Sequence, residues 1–331
     1  MADPEIREQL ETLYWWGVPT FFRAPHDEDP ANCDIGVLGI PHSSGNGSTE
    51  RDQHLGPRAV RGVSSHNRRP HRTYGINAFE AVRVSDLGDV PLPEAMDNEA
   101  CIDRIAACAR AAADAGTRLV SIGGDHAITG GVLLGLAGPG SQVTGGEPVA
   151  LIHFDAHVDS YAQLPHWLGA KRSAAHWAAY LVDSGCIDPT RSTQIGMRGA
   201  PRTDTWLDTS RTLGYDVKTM EECRAIGLQT MIEAAVARAG DGPVYITFDL
   251  DSLDPSIAPA VSNIEIGEGG FTIDEANLML RALRGLDIVG ADVVCLMPTK
   301  DLPNQQTAMV AGHIAAEQVS LIADRLVSGG R

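Results

Sequence analysis

The sequence predicts an α/β protein, a three-layer α/β/α sandwich around a mostly parallel sheet. Three observations predict it. Short runs rich in Val and Ile, apolar on both faces, alternate with longer helical patterns, as strands buried in a parallel sheet require. No internal repeat or long low-complexity linker breaks the alternation. The chemically dense segments all fall directly after a predicted strand, where doubly wound sheets place their sites.

The predicted strands are 34–40 (DIGVLGI), 118–122 (RLVSI), 149–154 (VALIHF), 193–197 (TQIGM), 244–248 (VYITF) and 288–296 (IVGADVVCL). Helical patterns lie between them at 98–115, 174–184, 221–239 and 273–286, and a last helix near 307–327 closes the chain. Thr272 followed by Glu275 reads as a capping box opening the helix at 273. With 331 residues, 43% of them hydrophobic, residues 1–331 read as one domain with one large core. The first roughly 30 residues read as an extension that packs on the domain or on a neighbouring subunit.

Composition narrows the function. The formal net charge is −17, from 43 acidic against 26 basic residues, so no basic face is available for nucleic acid. The same field favours approach of small cations. No apolar run nears the ~20 residues needed to span a bilayer, and the N-terminus carries no secretory signal pattern. Cys33, Cys101, Cys108, Cys186, Cys223 and Cys295 are scattered without a CxxC pair. That pattern reads as reduced thiols in a cytoplasmic protein with no membrane partner.

Three segments carry chemistry. GGDHAITGG places Asp125 and His126 after the strand at 118–122; HFDAHVDS places Asp155, His157 and Asp159 after the strand at 149–154; FDLDSLDP places Asp249, Asp251 and Asp254 after the strand at 244–248. A lone Asp-His or DLD is ordinarily a turn or a helix cap. Gathered together, the carboxylates repel and lose hydration, so a cation must compensate. His126, Asp155, His157, Asp159, Asp249 and Asp251 form a natural shell for two divalent ions, with alternate residues of DAHVD and DLD facing one locus along an extended chain. The mixed nitrogen and oxygen donors suit manganese, nickel, cobalt or zinc and disfavour calcium, and the lack of an accompanying cysteine argues against structural zinc.

GGDHAITGG, HFDAHVDS and FDLDSLDPSIAP resemble the three signature segments of the ureohydrolase family of arginases, agmatinases and related amidinohydrolases. GVPTFFRAP, LGPRAVR, IDPTRSTQIGMRG and TAMVAGHIAAEQ extend the likeness over nearly the whole chain. The resemblance implies an arginase-like fold, a homo-oligomer (trimer or hexamer, with a hetero-oligomer as the alternative), and two divalent ions per subunit, nickel or manganese. It further implies that His126, Asp155, Asp159 and Asp249 hold one ion while Asp155, His157, Asp249 and Asp251 hold the other. A hydroxide between the ions would attack the amidino carbon of a small cationic guanidine-type substrate, and Asp251 would pass its proton to the leaving amine.

The departures from the family pattern lie where substrate belongs. The family usually continues APGTGTP after DLDSLDP; here Ala258-Pro259-Ala260-Val261-Ser262-Asn263 follows, with extra residues before Gly269-Gly270. Cys295 stands where the family has a glutamate that receives the guanidinium nitrogens. The family's His-Gly pair after HVDS is replaced by HWLGAKRSAAHWAAYL, which makes His176 the candidate proton shuttle and His166 the second. Trp167, Trp177, Trp15 and Trp16 are candidates for apolar or cation–π walls, and Glu50, Asp52 and His54 for the pocket mouth. Cys295, His166, Asn263 and Glu50 are the expected pocket residues, and Asp254 is expected to orient its loop. These changes resemble branches acting on guanidine, N-alkylguanidines or biguanides such as metformin. The alternatives are an agmatinase or guanidinobutyrase and, in another class, a non-catalytic partner subunit of a hetero-oligomer.

Overall fold

The computed structural model describes residues 3–11, 13, 15–47, 51–161, 169–201 and 203–329. Among them, eight strands form one sheet: β1 (Ile35–Ile40), β2 (Val84–Asp89), β3 (Arg118–Gly123), β4 (Ala150–Phe154), β5 (Thr193–Met197), β6 (Asp216–Thr219), β7 (Pro243–Asp249) and β8 (Asp287–Val294). The order is β2-β1-β3-β8-β7-β4-β5-β6, and every pairing is parallel. The β1, β4, β5 and β7 side chains are buried throughout, which is why both faces read as apolar.

Helices cover both faces. On one, Val60, Met231, Ile232, Met279, Leu280, Ile314 and Val319 pack on Val37, Val120, Ile152, Phe154 and Phe248. On the other, Ile102, Ile105, Ile128, Leu133 and Trp177 pack on Leu38, Leu119, Leu151 and Tyr245. The three-layer expectation holds, and with it the six strands read from sequence. Thr272 and Glu275 form the expected reciprocal cap.

Four local readings change. The edge strands β2 and β6 escaped notice because the one carries Ser85, Asp86 and Asp89 and the other is four residues long and half polar. The pattern at 221–239 is two helices, Met220–Ile226 and Leu228–Ala239, parted at Gly227, whose φ of 88° no continuing helix adopts. The helix expected at 174 begins at Trp177. Ala127–Leu136 is a helix with nine buried positions of ten; apolar all round, it lacks the stripe that betrays a surface helix. No helix among the described residues is long and apolar enough to cross a membrane.

Candidate metal centre and active site

The site sits at the carboxyl ends of the central strands. β3 delivers Asp125 and His126, β4 delivers Asp155 to Asp159, β7 delivers Asp249 and Asp251, and β8, between β3 and β7, delivers Cys295. Past the strand ends the chain is not extended, so strand alternation is not what gathers the acids. Residues 155–159 bend, with Asp159 at φ 47°, and Leu250–Ser252 is a 3-10 turn. Asp155 turns the chain by accepting His157 N–H at 2.7 Å, and Asp249 does the same for Asp251 N–H at 2.9 Å. Each motif thereby folds its own acids toward one point.

His126 Nδ1 lies 3.0, 2.9 and 3.2 Å from carboxylate oxygens of Asp155, Asp159 and Asp249. His157 Nδ1 lies 3.1 Å from Asp251 Oδ2 and 3.4 Å from Asp155 Oδ1. All six predicted residues therefore converge. His126 Nε2 faces Thr247 Oγ1 at 2.8 Å, and that hydroxyl donates to Asp292 Oδ1 at 2.6 Å, so Thr247 is an acceptor for the ring N–H. This sets the tautomer whose Nδ1 lone pair points into the acids, and Nδ1 has no aligned hydrogen-bond partner despite full burial. A buried imidazole nitrogen facing three carboxylates must carry positive charge between them, and the mixed nitrogen and oxygen donor set fits a divalent cation.

The ionisation pattern agrees. Burial opposes protonation of His126, but Asp155, Asp159 and Asp249 push its pKa well up. Burial and the Asp249 charge push Asp251 well up. Asp155 is held well down: burial raises it, and His126, His153 and His157 outweigh burial. Such opposed shifts among touching groups mark strong electrostatic coupling between the acids and the imidazoles.

Partners that the motifs did not advertise support the cluster. His153 donates to Asp155 Oδ2 at 2.8 Å, oriented by Gln194, whose amide donates to His153 Nδ1 at 3.1 Å. Asp292, fully buried, accepts from Thr129, Thr247 and Tyr245. His153 lies two residues before Asp155 on one strand face, a signal the sequence carried; Asp292 had none beyond a charge inside an apolar strand.

A cavity of ≈ 580 Å³ opens beside the cluster. Asn263 and Cys295 line it as expected, with Asn46, Tyr161, Arg198, Trp206 and Glu265. Cys295 adopts φ 71°, and burial followed by the Asp249 and Asp251 charges raises its thiol pKa well above normal. Ala174 and Ala175 line the wall, whereas His176, at the helix start, places Nδ1 2.6 Å from the Ser173 hydroxyl outside that lining. Asp52 accepts from Thr299, His54 contacts Ser43, and Asp254 caps the 254–256 turn by accepting Ser256 N–H. Trp15 and Trp16 line a separate cavity of ≈ 180 Å³ with Arg23 and Arg61. Glu50, His166 and Trp167 lie outside the described residues.

Residues 33–320 match the model of the Arginase family. The chain belongs to the arginase family. This arginase-family chain is 35% identical over 328 residues to the guanidinopropionase of Pseudomonas aeruginosa, covering 97% of this chain and 96% of that one. It is 32% identical to an agmatinase of Chromobacterium violaceum, covering 99% and 97%. Its fold is similar to that of proclavaminate amidino hydrolase from Streptomyces clavuligerus, with TM-score 0.85, 28% identity, and 94% and 99% coverage. Its relatives are hydrolases, and this chain is an enzyme of their C–N hydrolase class.

Proposed function

We propose that this chain is a binuclear metal-dependent amidinohydrolase that splits a C–N bond of a guanidino compound, releasing urea or a substituted urea. The convergence of His126, Asp155, His157, Asp159, Asp249 and Asp251 beside one cavity carries the reading. His126, Asp155, Asp159 and Asp249 would hold one ion, and Asp155, His157, Asp249 and Asp251 the other. When bound, two such cations supply Lewis acidity and lower the pKa of water. Nickel or manganese suits this donor set, and nickel is the tighter-binding of the two in the general order of divalent metals.

The protein's own groups do the rest. Asp251, fixed by Ala156 N–H at 3.1 Å, takes a proton from the attacking water and passes it to the departing amine. Cys295, Ala174 and Ala175 give the cavity uncharged stretches of wall against which a planar group can rest. Among the described lining residues Arg198 is the sole arginine or lysine, and three of its hydrogen bonds go to the carbonyls of Asp251, Ser252 and Leu253. Apart from the buried Arg198 Nε, which has no hydrogen-bond partner, a carboxylate tail has no free arginine or lysine group to meet among them. That favours guanidine, N-alkylguanidines or biguanides such as metformin over guanidino acids. The likeness to guanidinopropionase supports the second reading, an aliphatic guanidino compound.

Urea release by protein loaded separately with manganese and nickel tests both, against guanidine, N,N-dimethylguanidine, metformin, agmatine and 3-guanidinopropionate, with Asp155→Ala as blank. Fastest turnover of an uncharged-tail guanidine supports the first reading; fastest turnover of agmatine or guanidinopropionate replaces it with the second. Silence on all five rejects amidinohydrolysis. We further propose one domain over residues 1–331 and a homo-oligomer, to which the exposed Trp15 (65%) and Val18 (86%) contribute. Light scattering giving a monomer would refute the assembly.

A further inference from the structure

A cationic substrate needs an anion not already committed to metal. Four carboxylates line the cavity among the described residues: Asp159, Asp249, Asp251 and Glu265. The first three belong to the metal cluster. Glu265 does not, and no strand, helix or motif announced it, because it lies in the irregular run between Val261 and Phe271.

The chain builds a seat for this side chain. Gly199 has φ 94°, a left-handed conformation that favours glycine, and a Cβ there would run into the Glu265 carboxyl group, which would have to shift. Arg198, buried next door, donates to Asp251 O, Leu253 O and, at 3.4 Å, Glu265 O, tying the loop that carries Glu265 to the metal-bearing turn. Glu265 Oε1 lies 3.3 Å from His157 Nε2, at the ring edge opposite the Nδ1 that meets the acids. One ring N–H and the nearby Ala200 backbone leave acceptor capacity on the carboxylate, and its side chain is 25% exposed toward the cavity.

We propose that Glu265 is the substrate's cation seat: its carboxylate accepts two N–H groups of the guanidinium while Oε1 keeps His157 oriented. The inference rests on the amidinohydrolase reading for its substrate class. A carboxylate matches a guanidinium edge-on with paired, charge-assisted hydrogen bonds. With Cys295 uncharged and the other lining acids at the metal cluster, Glu265 sets both the charge selectivity of the pocket and the placement of the amidino carbon beside Asp251. The competing role is narrower: Glu265 only orients His157, as carboxylates commonly do behind a metal-bound imidazole.

Calorimetric binding of guanidinium chloride and of neutral urea to the nickel-loaded protein, wild type beside Glu265→Gln and Gly199→Ala, separates the two roles. Metal content and, for active protein, kcat and KM are recorded on the same samples. Gln still accepts from His157, so metal content stays at the wild-type level. Guanidinium affinity is expected to fall about 10-fold or more, as loss of hydrogen bonds to a charged group does, while urea binding is unchanged. Gly199→Ala, which displaces the carboxyl group, reproduces the loss, and KM rises with little change in kcat. Unchanged guanidinium affinity in Glu265→Gln, absence of guanidinium binding by the wild type, or loss of metal in place of cation affinity overturns the proposal. Guanidinium binding through Glu265 without urea release leaves this seat standing and refutes the hydrolase reading instead.

Discussion

Trp177 Nε1 donates to Asp159 Oδ2 at 2.9 Å from the floor of the metal cluster, with its fully buried ring 4.8 Å from His126 and 5.0 Å from His153. The indole therefore aims an acid whose backbone sits at φ 47° and packs two imidazoles at once. Trp177→Phe keeps most of the apolar contact and removes the N–H. Metal affinity is expected to fall about 10-fold or more, the usual cost of losing an outer partner, while the protein stays folded. Competition with a chelating dye measures it; wild-type affinity in the variant would show the bond to be incidental.

His126 is held from the opposite side by Thr247 and, through it, Asp292. Thr247→Val leaves a ring N–H and a buried carboxylate oxygen each short of a partner. Unfolding free energy is expected to drop by about 1–3 kcal/mol per group left unsatisfied, and metal affinity to fall roughly 10–100-fold. Urea unfolding of the metal-free protein isolates the first effect and dye competition the second. Equal stability of the two proteins would mean that water fills the gap.

Chelation should destabilise the protein, because the folded state gathers four carboxylates and two imidazoles that only cations reconcile. Restoring metal at 100 times its Kd should return about 2.7 kcal/mol of stability. Thermal scans with and without chelator read this as a fall and recovery of Tm. Asp155→Ala, which removes the carboxylate lying against both His126 and His157, should show no recovery.

Glu99 joins the helix Asn98–Asp114 to the segment leading into the cavity wall at Ala174. Its carboxylate accepts Lys171 N–H, Arg172 N–H and Arg172 Nε. Burial opposes its charge, yet Arg172 and these amides hold its pKa at about 2. Since the folded value lies below the unfolded one, the contribution is full at neutral pH and disappears as pH falls from the ordinary carboxylate range toward about 2. The group is partly exposed, so screening makes the effect small. The Tm gap between wild type and Glu99→Gln should be positive at pH 7 and shrink below pH ~4. A gap independent of pH would show that the charge contributes nothing.

The sequence by itself determined six of the eight strands, the layers and the six residues that converge at the cluster. Runs such as VALIHF and VYITF are apolar on both faces, and DAHVD and DLD concentrate acids at their ends, so strand identity and site location are written locally. Short polar edges such as Asp216–Thr219, and a helix as uniformly apolar as Ala127–Leu136, carry no periodic signal and became visible only as packed elements. The tertiary structure alone decided the partners: Trp177 on Asp159, Asp292 behind Thr247, and Glu265 over Gly199. Each joins residues 18 or more positions apart, and their contact depends on where the sheet order and a loop of irregular backbone bring them. Local propensity fixes which segments become strands; only the closing of the chain decides which side chains meet.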